Sequence, residues 1–254
     1  MEYTPREMMT IMAAREIDDG SIVFCGTGIT MLAAIAAKKI TSPNSVIFFE
    51  TGAIDSRLDE IPLTVADPRV MYAASSATGM IDAFSTMQNK IIARHIVGIL
   101  GAGQIDKFGN LNTTCIGDYE QPQIRFPGSG GGCDVISFVP KTIIFMQQQK
   151  KKFVKKLDYM TSPGYLDGPQ GREKAGLPSG GPSVVITDMG TFRFNETSKE
   201  LYLHRTYPGI KPEQILEEME FEVDSSHVQV EAPPSQYELQ ILRDKCDPHR
   251  LICS

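Results

Sequence analysis

Histidine is scarce in these 254 residues. There are four, and they stand apart at His95, His204, His227 and His249. A zinc centre needs several nitrogen, sulfur or carboxylate ligands that converge. Cys246, His249 and Cys253 near the end of the chain fall short of a complete set, so no metal site is expected. There is no Gly-x-Ser-x-Gly stretch, which removes the nucleophile elbow of the serine hydrolases. The longest smooth apolar run, Ile29–Ala37, is far shorter than the roughly 20 residues of a membrane span. The opening MEYTPREMM has neither the basic nor the apolar region of a secretory signal. Basic residues are outnumbered, 25 Lys and Arg against 31 Asp and Glu, and the net charge of −6 is the wrong sign for a general nucleic-acid binder. Five cysteines, an odd number without secreted-domain spacing, fit a reduced, cytoplasmic protein.

What is present suits a folded α/β chain. Hydrophobic residues make up 41% of it, enough to bury a core. Thr4, Pro5 and Glu7 give a T-x-x-E start with proline at the first helical position. Ser21–Cys25 reads as an apolar strand, Ile29–Lys39 as a helix, and Val46–Glu50 as a second strand. RVMYAA, HIVGIL and TIIFM read as further strands, with a helix around Met80–Ile92. Later, Thr191–Phe194 and Leu201–His204 flank a turn, Pro212–Met219 is helical, and Ser235 with Glu238 opens a last short helix. Short apolar strands alternating with helices predict an open, mostly parallel twisted sheet with helices on both faces, closed by a C-terminal hairpin and helices. The expectation is one domain over 1–254, with 230–254 as a tail packed on it.

In such sheets ligands bind beyond the carboxyl ends of the strands. Those ends carry Gly26-Thr27-Gly28, then Glu50, then Gly101-Ala102-Gly103 followed by Gln104. Gly26–Gly28 lacks the third glycine of a dinucleotide fingerprint, because Met31 stands there. It is open between a ligand turn and an ordinary strand-to-helix turn. The run Gly128-Ser129-Gly130-Gly131-Gly132 is costly in conformational entropy. Such runs suit a backbone that must bring N–H groups to an anion, the alternative being a linker. Glu50 either caps the next turn or serves as a nucleophile facing such donors. The basic tract Gln147–Lys156, with its Lys150–Lys156 core, is either a solvated surface or an attraction for a polyanion such as the coenzyme A phosphates. The Gly- and Pro-rich stretch Tyr159–Pro182 is long for a loop, which marks it as functional or interfacial.

Taken in order, EYTPREMMTIMAAREIDDG, GTGITMLAA, FFETGAID, GAGQIDKFGNLNTTCIGDY, RFPGSGGGCD and TSPGYLDGPQGRE resemble the beta subunits of family I coenzyme A transferases, those of glutaconate type above all. The resemblance covers nearly the whole chain. It implies an open α/β sheet and a catalytic glutamate in a Glu-Ser/Thr-Gly motif, here Glu50-Thr51-Gly52. It implies an oxyanion-stabilising glycine run over Gly128–Gly132, with Gly130, Gly131 and Gly132 as the candidate donors, while Gly28, Gly101, Gly103 and Gln104 at the strand ends are candidate substrate and CoA contacts. It also implies an alpha-subunit partner, in A2B2 or A4B4 assemblies, and no cofactor beyond the CoA thioester that is the substrate. The reaction implied is CoA transfer between an acyl-CoA and a carboxylic acid, a glutaconate-like dicarboxylate foremost. Acyl-CoA hydrolysis or ring-cleaving hydrolysis of a CoA thioester on the same fold is the first alternative, and a non-catalytic scaffold the second. Arg125 is a candidate to hold a substrate carboxylate, or else a structural ion pair.

Overall fold

The computed structural model describes residues 2–254. They form two compact units, one of the residues before Gly101 together with Pro233–Ser254, the other of Gly101–Ala232.

The first unit begins with helix α1 (Pro5–Arg15). Its start is set locally: the Thr4 hydroxyl accepts the Glu7 N–H at 3.2 Å, and the Glu7 carboxylate accepts the Thr4 N–H at 2.9 Å. Met8, Ile11 and Met12 recur at helical spacing and are buried. Strand β1 (Ile22–Cys25) follows, then helix α2 (Ile29–Ile40), which packs on α1 and is buried from Thr30 to Ala37. Strands β2 (Val46–Phe48), β3 (Ala53–Ile54) and β4 (Ser76–Ala77) come next. Helices α3 (Met80–Gln88) and α4 (Lys90–Ala93) precede β5 (Ile96–Gly101). The strand order is β5-β1-β2-β3-β4, parallel through the first three and antiparallel beyond.

Two expected elements differ. RVMYAA is not a strand: Pro68–Met71 is a 3-10 turn, because Asp67 caps it by accepting the Arg69 N–H at 3.0 Å and Pro68 sits at its first position. Only Val70 is buried there, while Met71 and Tyr72 face outward. The helix expected over Met80–Ile92 is broken at Asn89, whose side chain accepts the Ile91 and Ile92 N–H groups and starts α4 afresh.

The second unit holds two small antiparallel ladders, β6 (Gln104–Ile105) with β7 (Leu111–Asn112), and β8 (Cys115–Ile116) with β9 (Ile124–Arg125). Helix α5 (Gly132–Phe138) leads to β10 (Lys141–Phe145). The Tyr159–Pro182 stretch carries one helical turn, α6 (Gly171–Lys174). Strands β11 (Pro182–Ile186), β12 (Gly190–Phe194), β13 (Leu201–Thr206) and β14 (Gln229–Val230) follow, with helix α7 (Pro212–Glu217) before the last. β10 and β11 are parallel, whereas β11, β12 and β13 are antiparallel, with the expected hairpin between the last two. The α/β class holds, parallel in β5-β1-β2 and in β10-β11 and mixed beyond them.

The Tyr159–Pro182 stretch is folded around one side chain. Arg172 is only 6% exposed and faces carbonyls rather than carboxylates. Its Nε donates to Pro178 O (3.1 Å), Nη1 to Ile136 O (3.1 Å), Gly164 O (3.0 Å) and Pro163 O (3.4 Å), and Nη2 to Ser137 O (2.7 Å).

The tail returns to the first unit. Helix α8 (Gln236–Ile241) opens with the expected Ser235–Glu238 box and runs into a wide turn over Leu242–Cys246. Two forked pairs fasten it to α1. Arg15 holds both oxygens of Glu238 at 2.8 Å, and Arg243 holds Glu7 at 2.6 and 2.8 Å. Among the described residues no helix is long and apolar enough to cross a membrane, and no group of three or more His, Cys, Asp or Glu side chains is placed to hold a metal ion.

Candidate active site

In the first unit the parallel strands run in register, Phe24 beside Phe48 and Cys25 beside Ile99, so β1, β2 and β5 end at one edge. The glycine turn after β1 reaches α2 through Gly28, at φ +74°. A Cβ there would meet nothing within 4 Å, so glycine is favoured by backbone conformation and not by lack of room.

Glu50 does not end a strand. Strand β2 stops at Phe48, and the chain turns back at once into β3. Phe49 N donates to Ala53 O at 3.0 Å and Gly52 N to Phe49 O at 2.9 Å, so Glu50, Thr51 and Gly52 form a three-residue hairpin loop. Such loops place glycine with positive φ last, and Gly52 has φ +90°. Glu50 is half-buried at the tip. Its carboxylate makes no hydrogen bond or ion pair among the described residues, so it caps no turn. The neighbouring Thr51 hydroxyl oxygen is buried without a hydrogen-bond partner among the described residues.

In the second unit Gly103 and Gln104 have structural duties. A Cβ on Gly103 would lie 2.5 Å from the Phe126 ring. Gln104 is 5% exposed; its Nε2 donates to Asp158 Oδ2 (2.7 Å), and its Oε1 accepts from Asn112 Nδ2 (2.7 Å) and the Asp158 N–H (3.1 Å). Three of its four hydrogen-bonding positions are therefore spent on the protein itself. Gly101, by contrast, is exposed at the end of β5.

The glycine run is a built turn and not a linker. Phe126 N donates to Thr114 O and Gly128 N to Thr113 O, both at 2.9 Å. Gly128 and Gly130 have φ +98° and +48°. Gly132 N is committed to Ser129 O at 2.8 Å, and Cys133 N to Ser129 Oγ at 3.2 Å. The Gly132 N–H is thus already used inside the turn. The N–H groups of Gly130 and Gly131 have no acceptor among the described residues. Gly131 is buried, has ordinary helical angles (φ −80°, ψ −1°) and caps α5.

Arg125 is exposed and forms no ion pair among the described residues. It donates to Tyr119 O at 2.6 Å and lies 4.8 Å over the Tyr119 ring, which stacks on Tyr159. In the basic tract Lys152 donates to Gln147 Oε1, and burial with Lys151 nearby lowers its pKa, while Lys151, Lys155 and Lys156 are exposed. Of the five free thiols, Cys25, Cys115, Cys246 and Cys253 are buried and Cys133 is half-exposed. Burial pushes Cys25 and Cys246 up to about 12 and Cys253 to about 11.

Residues 6–218 match the family model described as coenzyme A transferase. Over 250 residues, 97% of this chain and 93% of the relative, the sequence is 38% identical to the B subunit of glutaconate CoA-transferase of Acidaminococcus fermentans. It is 35% identical over 244 residues to the B subunit of 3-oxoadipate CoA-transferase of Pseudomonas knackmussii, covering 95% of this chain and 92% of that one. The crystal structure of glutaconate coenzyme A-transferase from A. fermentans superposes with a TM-score of 0.96 at 36% identity, over 100% of this chain and 98% of that one.

Proposed function

The chain belongs to the coenzyme A transferase family, and from that premise we propose that it is the beta subunit of an enzyme moving coenzyme A between an acyl-CoA and a carboxylic acid, with a glutaconate-like dicarboxylate foremost. Glu50 is the proposed nucleophile. The observation that carries this reading is its carboxylate at a tight hairpin tip, without any partner in the described chain. A glutamate that caps the turn or pairs with a cation would have spent its oxygens there.

Glu50 attacks the thioester carbonyl of the donor, and the oxyanion takes hydrogen bonds from backbone N–H groups. Gly130 and Gly131 are proposed for that duty because their donors are uncommitted. CoA thiolate leaves, and a mixed anhydride remains. The thiolate then attacks the Glu50 side-chain carbonyl, releasing the donor acid and leaving a glutamyl-CoA thioester. An acceptor carboxylate runs the steps in reverse. Water never receives the acyl group, so the thioester energy is kept, and ping-pong kinetics follow. The chemistry calls for no metal or redox cofactor. Gly28 and Gly101 remain proposed substrate and CoA contacts, and the exposed lysines between Lys150 and Lys156 a proposed attraction for the CoA phosphates.

An alpha subunit completes the enzyme in this reading, in pairs that assemble to A2B2 or A4B4. Five free thiols support a reducing compartment, and we place the protein in the cytoplasm. The test is co-expression with the alpha subunit, incubation with acyl-CoA, and mass spectrometry of the peptide holding Glu50. A CoA adduct there, absent in Glu50→Gln, is expected. Thiol release without any acceptor acid points instead to a hydrolase, and no reaction of the assembled pair to a scaffold.

A further inference from the structure

We infer that the Tyr159–Pro182 segment positions the glycine turn for catalysis, through the Arg172 guanidinium on one side and the Thr161 hydroxyl on the other. The inference rests on the proposed transfer reaction and assigns this segment a part in it.

A turn with two glycines at positive φ is not fixed by its own bonds alone. Glycine has the most backbone freedom to lose, and an oxyanion site works only if its donors are fixed beforehand. Ser129 closes the turn from within, accepting the Gly132 and Cys133 N–H groups, and the rest of the fixing comes from outside it. Before the tip, Gly128 and Phe126 hang their N–H groups on Thr113 O and Thr114 O. Those two threonines are in turn held by Thr161, whose Oγ1 accepts the Thr113 N–H at 2.9 Å and lies 2.7 Å from Thr114 Oγ1. After the tip, Gly131 caps α5, where Val135 N donates to Gly131 O at 2.9 Å. The far end of α5 is held by Arg172, which takes the carbonyls of Ile136 and Ser137.

Carbonyls in the last turn of a helix have no partner within it and carry its negative end, so a cation is the matching cap. Helix α5 has seven residues, about 10 Å of rigid backbone. Val135, Ile136 and Ser137 are buried along it. A shift at the Arg172 end therefore reaches Gly131. Burying a guanidinium without a carboxylate is costly. Packing the segment down would need only apolar side chains. What Arg172 adds is direction, since its planar fork fixes five carbonyls at once.

The test uses the assembled complex with Arg172→Lys and Thr161→Val. The first keeps the charge and loses the fork; the second keeps the shape and loses the hydroxyl. Each should lower kcat by about 10- to 100-fold, as a misplacement of about 1 Å does, with KM for acyl-CoA changed by no more than about twofold. In a double-mutant cycle with Gly131→Ala, the losses should fall short of multiplying, because both changes act on one turn. Wild-type kcat in both variants, or losses that multiply with Gly131→Ala, overturns the inference. So does failure of both variants to assemble, which would make the segment a folding element alone. The wild-type adduct on Glu50 separates the two readings: without it the transfer reaction itself falls, and with it an unchanged kcat removes only the positioning role.

Discussion

The Cβ that Gly52 lacks would stand 1.9 Å from the carbonyl oxygen of Thr78 and 2.6 Å from its carbonyl carbon. Thr78 N donates to Gly52 O at 2.9 Å in return, so the tip of the Glu50 hairpin is sewn to the residue after β4. Both contacts are backbone, and neither can swing aside as a side chain would.

Gly52→Ala should therefore open the hairpin. The methyl is barred by Thr78 and by the positive φ together. Transfer should fall by about 100-fold or more through displacement of Glu50, with a lower melting temperature. Steady-state kinetics and thermal unfolding of the complex check this, and an alanine variant with native activity would break the link between this glycine and the glutamate.

Glu50→Gln keeps size and loses the anion, so transfer should drop by several orders of magnitude. Glu50→Asp withdraws the carboxylate by one C–C bond, roughly 1.5 Å. Attack at about 3–3.5 Å is then out of reach, but a water fits between. Aspartate could serve as its base, and the enzyme should leak towards hydrolysis. Thiol release measured with and without acceptor acid shows it; equal coupling in Glu50→Asp and wild type would count against the geometry.

At Gly131 the backbone is ordinary, so a side chain brings no φ strain. Gly131→Val should act on the donor site and lower kcat more than it raises KM. Valine keeps the N–H, so the effect comes from displacing it, and the roughly 2.7–4 kcal/mol of a lost oxyanion donor is its upper bound. A valine variant that assembles and keeps wild-type kcat would take this turn out of the reaction.

The tail responds to acid. Burial pushes the Glu238 carboxyl up, but hydrogen bonds from Arg15 and Ser235 outweigh it and hold the group down to about 2, from an ordinary 4.5. The folded state binds this proton less readily than the unfolded one. Its stabilisation is thus complete above about pH 4.5 and fades as pH falls towards about 2. Glu7, facing Arg243, is lowered in the same sense. Melting temperatures of wild type and Glu238→Gln should converge through that window. A gap that stays constant with pH would show that the Arg15 pair contributes nothing to folding.

Local features were legible in the sequence. The boxes at Thr4 and Ser235 close within three residues, and the hairpin around Asn195 likewise needs only its own turn. Features set by distant partners were not. The fold of FFETGAID at Gly52 depends on Thr78, 26 residues on, so Glu50 read as a strand end. Gln104 followed a strand like a ligand contact, yet its partner Asp158 lies 54 residues away. Arg172 gave one faint signal, the glycines Gly164, Gly171 and Gly181 around it: a Cβ on Gly164 or Gly171 would come within 2.4 Å of a backbone carbonyl, and one on Gly181 within 3.2 Å of the guanidinium. The break at Asn89 was visible as a capping residue inside an apolar helical stretch, and the apolar pattern on both sides masked it.

The uneven burial of the thiols gives the chain an attachment point of its own. Cys25, Cys115, Cys246 and Cys253 are shut away from solvent, and Cys133 alone is half-exposed. A maleimide dye or a fluorine tag should therefore settle on Cys133 without any engineered cysteine. That position is two residues from Gly131, so a label there would report turnover by turnover on whether the turn stays still.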